Sequence, residues 1–139
     1  MKLNESKSIS CPPESIWAYW MDVANDANWR SGVIKAEWTS PPPHGVGSKG
    51  KHTTKGLGVI TWEVTGFDDG RCFEFIHTTG KFKGTTAIFT VEPENDGSRV
   101  IMRAKMSGSV PMRLMMLFMG NMARKGLQRD LKKLKGLME

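Results

Sequence analysis

Between Gly32 and Met106 the side chains change character at nearly every residue, and that period of two is the strongest constraint on the fold. Ile34, Ala36 and Trp38 alternate with Lys35 and Glu37, and Ile60, Trp62 and Val64 alternate with Thr61, Glu63 and Thr65. Phe73, Phe75 and His77 alternate with Cys72, Glu74 and Ile76. Ala87, Phe89 and Val91 share one side of a long strand expected at residues 82–92, and Val100, Met102, Ala104 and Met106 alternate with Arg99, Ile101, Arg103 and Lys105. Such alternation marks strands with one buried face and one wet face. The turn signals "SPPPHGVG", "KGLG", "DDG" and "PENDG" separate the runs, so the strands form an antiparallel meander. Register matters here, because a slip of one residue would reverse every assignment.

The ends of the chain follow other patterns. Residues 2–10 alternate weakly, as an edge strand does. "CPPESIWAYWMDV" has prolines at a helix entry and an apolar face of Ile16, Trp17, Trp20 and Met21 at spacings of three and four. "NDANWRSG" reads as a second short helix with Asn25 or Asp26 as cap and Gly32 as stop. From Val110 to Met138 one long helix closes the chain. The sum is α+β: a curved antiparallel sheet of six to seven strands around a C-terminal helix, with two short helices after the first strand. At 139 residues the chain fits one domain, 1–139, with one core.

That last helix gathers five methionines between Met112 and Met122. At 100° per residue they fall within an arc of about 120°, and Ala123, Leu127, Leu134 and Leu137 extend the stripe. Lys125, Gln128, Arg129, Lys132 and Lys135 form the opposite, basic face. Leu114, Leu117 and Phe118 lie off the stripe, so the first half is apolar nearly all round and suits burial on several sides, or contact with a loop, a subunit or a membrane surface. The longest apolar run there, Leu114 to Met119, is far short of the about 20 residues a membrane span needs. Cu(I) ligation by Met116, Met119 and Met122 lacks a Cys or His within the run, so no metal is expected. Methionine is unbranched and polarizable, which favours a wall that adapts to a guest.

Composition narrows the field further. Hydrophobic residues make up 39% and charged residues 24%, which argues against disorder. The net charge of +6 is dispersed and lacks an aromatic-and-basic signature, so no nucleic-acid partner is expected. Cys11 and Cys72 fit neither a zinc site nor a disulfide framework and read as free thiols. "MKLNESKSIS" has no apolar core of a signal peptide, and the expected location is the cytoplasm. Gly45, Gly47 and Gly50 match G-x-G-x-x-G, but a proline loop precedes and a strand follows, so a glycine-rich strand entry is preferred to nucleotide binding.

Longer stretches resemble one family. "ISCPPESIWAYWMDVANDANW", "GVGSKGKHTT", "ITWEVTGFDDGRCFEF" and "FTVEPENDGSRVIMRAKMSG" look like the strand end and helix entry, the middle strand and the two hairpins of the START-like (SRPBCC) superfamily. The polyketide cyclase/dehydrase-like bacterial proteins are the nearest in appearance. The resemblance covers essentially the whole chain. It implies a helix-grip fold and binding, with transport as an extension, of a hydrophobic or amphipathic small molecule between sheet and helix. It names no cofactor. A monomer or a homodimer is expected, with contact to a membrane surface or subunit through the Met-rich helix as a further reading.

Within that frame the expected ligand-lining residues are Trp38, His52, Trp62, Phe75, His77, Met102, Met106, Met116 and Met119. His52 and His77 face inward in the assigned register. They are candidates for general acid and base in a cyclase or dehydratase, or for hydrogen bonds to a bound ligand. Trp20 is expected inward, while Trp17 and Trp29 belong to the helical insertion. His44 is expected in solvent, Glu63, Glu74 and Arg103 outward, and Asp22 in a local cap or pair beside Tyr19. No nucleophile elbow supports a hydrolase.

Overall fold

The computed structural model describes residues 2–107 and 110–139; within 110–119 the only side chains described are those of Leu114 and Leu117. Seven strands form one antiparallel sheet: β1 (Lys2–Ile9), β2 (Val33–Trp38), β3 (Lys49–Thr54), β4 (Gly58–Asp68), β5 (Cys72–His77), β6 (Thr86–Glu94) and β7 (Gly97–Lys105). Their spatial order is β1-β7-β6-β5-β4-β3-β2. The meander runs unbroken from β2 to β7, and β1 joins its far side, so β1 and β2 are the two edges. Between them in sequence lie α1 (Pro13–Met21), a single 3-10 turn at Val23–Asn25 and α2 (Asp26–Trp29). The chain ends in α3 (Val110–Met138).

Alternation does what it should along the middle strands. Ile60, Trp62 and Val64 are buried, as are Phe73, Phe75, Phe89, Val91, Val100 and Met102. Trp17, Trp20 and Trp29 pack edge-on or tilted against Phe73 and Phe89, with centroids 5.5–6.1 Å apart. These aromatic contacts join the helical insertion to the sheet.

Four local readings need correction. Ile34 is 62% exposed, because the register shifts between Val33 and Lys35. This bulge makes Ile34 the extra residue and leaves Val33 and Ala36 as the buried pair. The long strand begins at Thr86, not near residue 82, since Gly80 and Gly84 both take positive φ and fold residues 81–84 into a turn. It also runs on through Pro93 to Glu94, so the turn shrinks to Asn95 and Asp96, with Asn95 at φ 51°. Neither Asn25 nor Asp26 caps α2 through its side chain; Asp26 is buried instead.

The C-terminal helix has the expected bounds but a shifted buried stripe. Leu131 and Leu134 are fully buried, with Leu127 and Met138 packed beside them in the core. The spacing of these four, i, i+4, i+7, i+11, is one helix face. Leu137 is 49% and Met122 66% exposed, so neither belongs to it. Burying each leucine contributes about 1.5–3 kcal/mol. Two further ties hold the helix: Asp130 accepts from the Ser31 backbone N–H at 3.0 Å and from the Ser31 hydroxyl, and Lys135 donates to the Ser8 carbonyl.

Candidate functional site

The inner face of β3, β4 and β5 carries the residues singled out from the sequence. His52 lies opposite Ala36 on one side and Ile60 on the other, both buried, so its ring shares the core face. His77 lies opposite Trp62. The two imidazoles meet edge to face at 5.7 Å. Trp62 is 5.7 Å from Phe75 and 5.1 Å from Trp38, and Phe75 is 6.2 Å from His77. Period-two register thus brings Trp38, His52, Trp62, Phe75 and His77 into one continuous wall.

Met102 is buried in the same core, opposite Phe89 on β6. Met106 follows the end of β7 and is half-buried. Met116 and Met119 lie within α3, with side chains outside the described residues. Glu63 and Glu74 sit on the other face, where Glu74 accepts from Thr65, and Arg103 is exposed.

His44 is not solvated. Its ring stacks on Trp38 at 3.8 Å and 11°, and its Nδ1 is buried. Trp38 is itself fixed by an N–H bond of 2.8 Å to the Met21 carbonyl. The proline-rich loop is thereby pinned onto the rim of the wall. Gly50 explains part of the glycine pattern: a Cβ there would lie 2.2 Å from the Trp62 indole. The glycine leaves room for that ring to lie over the strand, which is a packing role rather than a phosphate cradle.

The polar element that sequence reasoning missed is Arg30. It follows α2 and forms an ion pair with Asp26 at 3.1 Å, with side-chain exposures of 18% and 10%. Its guanidinium lies over Phe89 at 5.4 Å and Phe75 at 5.8 Å. The i, i+4 spacing of Asp26 and Arg30 was the available signal. What it lacked was any sign that Asp26 is buried.

Burial and charge then set the protonation of the wall. His52 is lowered to about 3, first by burial and then by Arg30 and His77. His77 is lowered to about 4 by burial and by Arg30. Burial pushes the Asp26 carboxyl upward while Arg30 opposes it. At neutral pH both imidazoles are therefore neutral. Both Nδ1 atoms are buried without a hydrogen-bond partner among the described residues. A neutral imidazole has one N–H to donate and one lone pair to accept, so two such rings beside an arginine can bind a polar group of a mostly apolar guest. Among the described residues no group of three or more His, Cys, Asp or Glu is placed to hold a metal ion. Cys11 is buried and Cys72 half-buried, both as free thiols. Among the described residues no helix is long and apolar enough to cross a membrane.

A curled sheet gripping a long C-terminal helix is the helix-grip architecture, and comparison with solved structures agrees. The crystal structure of TTHA0849 from Thermus thermophilus has a TM-score of 0.80 at 17% identity, covering 98% of this chain and 95% of that one. The Aha1 dimer from Colwellia psychrerythraea gives 0.73 at 19% identity, with coverages of 100% and 96%. XoxI from Bacillus cereus gives 0.73 at 15%, with coverages of 99% and 94%. Curated protein sequences give no match. The model of the family described as "Polyketide cyclase / dehydrase and lipid transport" matches residues 1–139, and the chain belongs to that family.

Proposed function

We propose that this protein binds a hydrophobic or amphipathic small molecule, and carries it, between the inner face of the sheet and α3. The observation that carries this reading is the pair His52 and His77: two neutral imidazoles set in an aromatic wall, each with a buried Nδ1 that has no partner among the described residues. Buried polar atoms in folded proteins find partners, and a guest with a carbonyl or hydroxyl would supply one. Family membership supports the same class of ligand. Trp38, Trp62, Phe75, Met102 and Met106 would line the apolar part of the site.

A cyclase or dehydratase would need one imidazole as acid and the other as base. With pKa values of about 3 and 4, neither is an imidazolium at neutral pH, so neither can serve as the acid, and both are weak bases. Binding is therefore preferred to turnover. Leu114 and Leu117 are 57% and 74% exposed, which supports contact of that part of α3 with a membrane surface or a subunit as a second reading. Sedimentation with anionic liposomes at low salt tests it, and an unbound protein would end it.

The primary test is native mass spectrometry of freshly purified protein, followed by denaturing extraction. An apolar adduct released on unfolding is the expected result. An empty protein that also shows no saturable thermal shift with fatty acids, sterols or aromatic polyketides would overturn the proposal.

A further inference from the structure

The edge strand β1 and the C-terminal half of α3 border an open groove of about 750 Å³. It lies at the opposite end of the sheet order from His52 on β3. It is lined by Leu131 and Met122 and by four cations, Lys7 from the strand and Lys125, Arg129 and Lys132 from the helix. None of these four cations has a salt bridge among the described residues, whereas the acidic Glu5 is already paired with Arg124 at 3.8 Å.

Along this groove no hydrogen bond from outside the sheet reaches the backbone of Asn4 or Ser6 among the described residues. At its far end α3 closes the edge of β1: Lys135 Nζ donates to the Ser8 carbonyl at 3.3 Å, and the Ser10 N–H donates to Glu139 Oε2 at 2.8 Å. In an antiparallel strand alternate residues direct their N–H and C=O groups to the same side. Ser6 and Asn4 therefore share the free side with Ser8. No side chain of α3 is hydrogen-bonded to either among the described residues. The Ser6 hydroxyl accepts from Arg99 at 2.8 Å, beside the Ser8 hydroxyl that also binds Arg99, so Ser6 offers the groove its backbone. From Met122 to Lys132 the helix wall rises about 15 Å, the length of roughly five residues of strand.

We propose that this groove binds an acidic peptide segment in extended form, added as a further strand on the free edge of β1. The edge groups of Asn4 and Ser6 supply main-chain hydrogen bonds, and acidic side chains of the guest meet Lys7, Lys125, Arg129 and Lys132. A second copy of this chain is a poor occupant, since its own edge carries Lys2 and Lys7 and its net charge is +6.

The test uses the full chain and a labelled, end-blocked peptide of alternating glutamate and valine, followed by fluorescence anisotropy and amide NMR. Saturable binding is expected, with shifts at Asn4 to Lys7 and along residues 125–132. The double variant Arg129→Glu, Lys132→Glu should weaken it at least about tenfold, a loss of two charge-assisted contacts. The same peptide N-methylated on one edge should lose binding, because it cannot complete the ladder. Equal binding of the N-methylated peptide, which would mean charge attraction alone, overturns the proposal. So does equal binding of a lysine-valine peptide, or no saturation by the glutamate peptide. Any binding elsewhere, to judge by the shifts, overturns it too.

Discussion

The rings of His52 and His77 meet edge to face at 5.7 Å across strand β4, which separates their two strands, and burial, aided by Arg30, lowers the pKa of both. Their folded values, about 3 and about 4, lie below the ordinary 6.5. In the unfolded chain both rings take up protons as pH falls through about 6.5; in the folded chain they resist until about 4 and 3. The stability they contribute is complete above 6.5 and is lost as pH falls toward those values. The slope reaches up to about 1.4 kcal/mol per pH unit for each ring. Asp26 and Asp130, raised by burial, act in the opposite sense at the acid end. Urea denaturation of the wild type and of the double variant His52→Asn, His77→Asn between pH 7 and 4 isolates the histidine part. The wild type should lose more stability over this interval than the variant, and equal losses would show that the rings titrate normally.

Arg30 couples this wall to the helical insertion, and its removal should show in two readouts. Arg30→Met leaves the buried Asp26 carboxylate without its partner, a change that costs about 3 kcal/mol for a largely buried pair. It also removes the positive charge that helps to lower both imidazoles, so their pKa values should rise, as followed by NMR titration. The double variant Asp26→Asn, Arg30→Met should recover part of the stability while keeping the raised histidine values. Histidine titrations unchanged by Arg30→Met would dismiss the coupling.

Much of this arrangement was legible in the alternation. The positions of Trp62, Phe75, His52 and His77 follow from a period of two anchored by buried neighbours on each side. The failures have local causes. Ile34 kept the alternating pattern, but a bulge opposite Thr53 and Thr54 removed it from the core. His44 sits among prolines in a loop, where no periodicity reports that Trp38 will stack on it. Asp26 reads as a cap, and a helix of four residues has no periodicity to report that its first carboxylate is buried and paired with Arg30. In α3 the methionines set the expected stripe, yet Leu131 and Leu134 are the described residues of the helix that are fully buried in the core.

Gly50 tests the aromatic wall. An alanine Cβ would lie 2.2 Å from the Trp62 ring, so the indole must move, and its neighbours Trp38 and Phe75 must adjust. Overpacking of this kind costs about 1–3 kcal/mol. Gly50→Ala should lower the free energy of unfolding by that amount and alter the tryptophan emission of the folded state. Gly45→Ala serves as a control, because open space surrounds its position. If the two variants were equally stable, the close approach of Trp62 to the strand would be wrong.

The direction of α3 can be checked with a pair of leucines six residues apart. Leu131 is 1% exposed and Leu137 is 49% exposed. Removing the side chain of Leu131 leaves a cavity at the junction with the sheet, and Leu131→Ala should cost about 2–5 kcal/mol. Leu137 retains much of its contact with water, so Leu137→Ala should cost at most about 0.5 kcal/mol. A helix turned so that its methionine stripe and Leu137 faced the sheet together would reverse this order. Chemical denaturation of the two single variants at neutral pH therefore reads the rotation of the helix directly, and the proposed acidic-peptide groove depends on the same rotation, since it places Lys125, Arg129 and Lys132 beside β1 only when Leu131 is underneath.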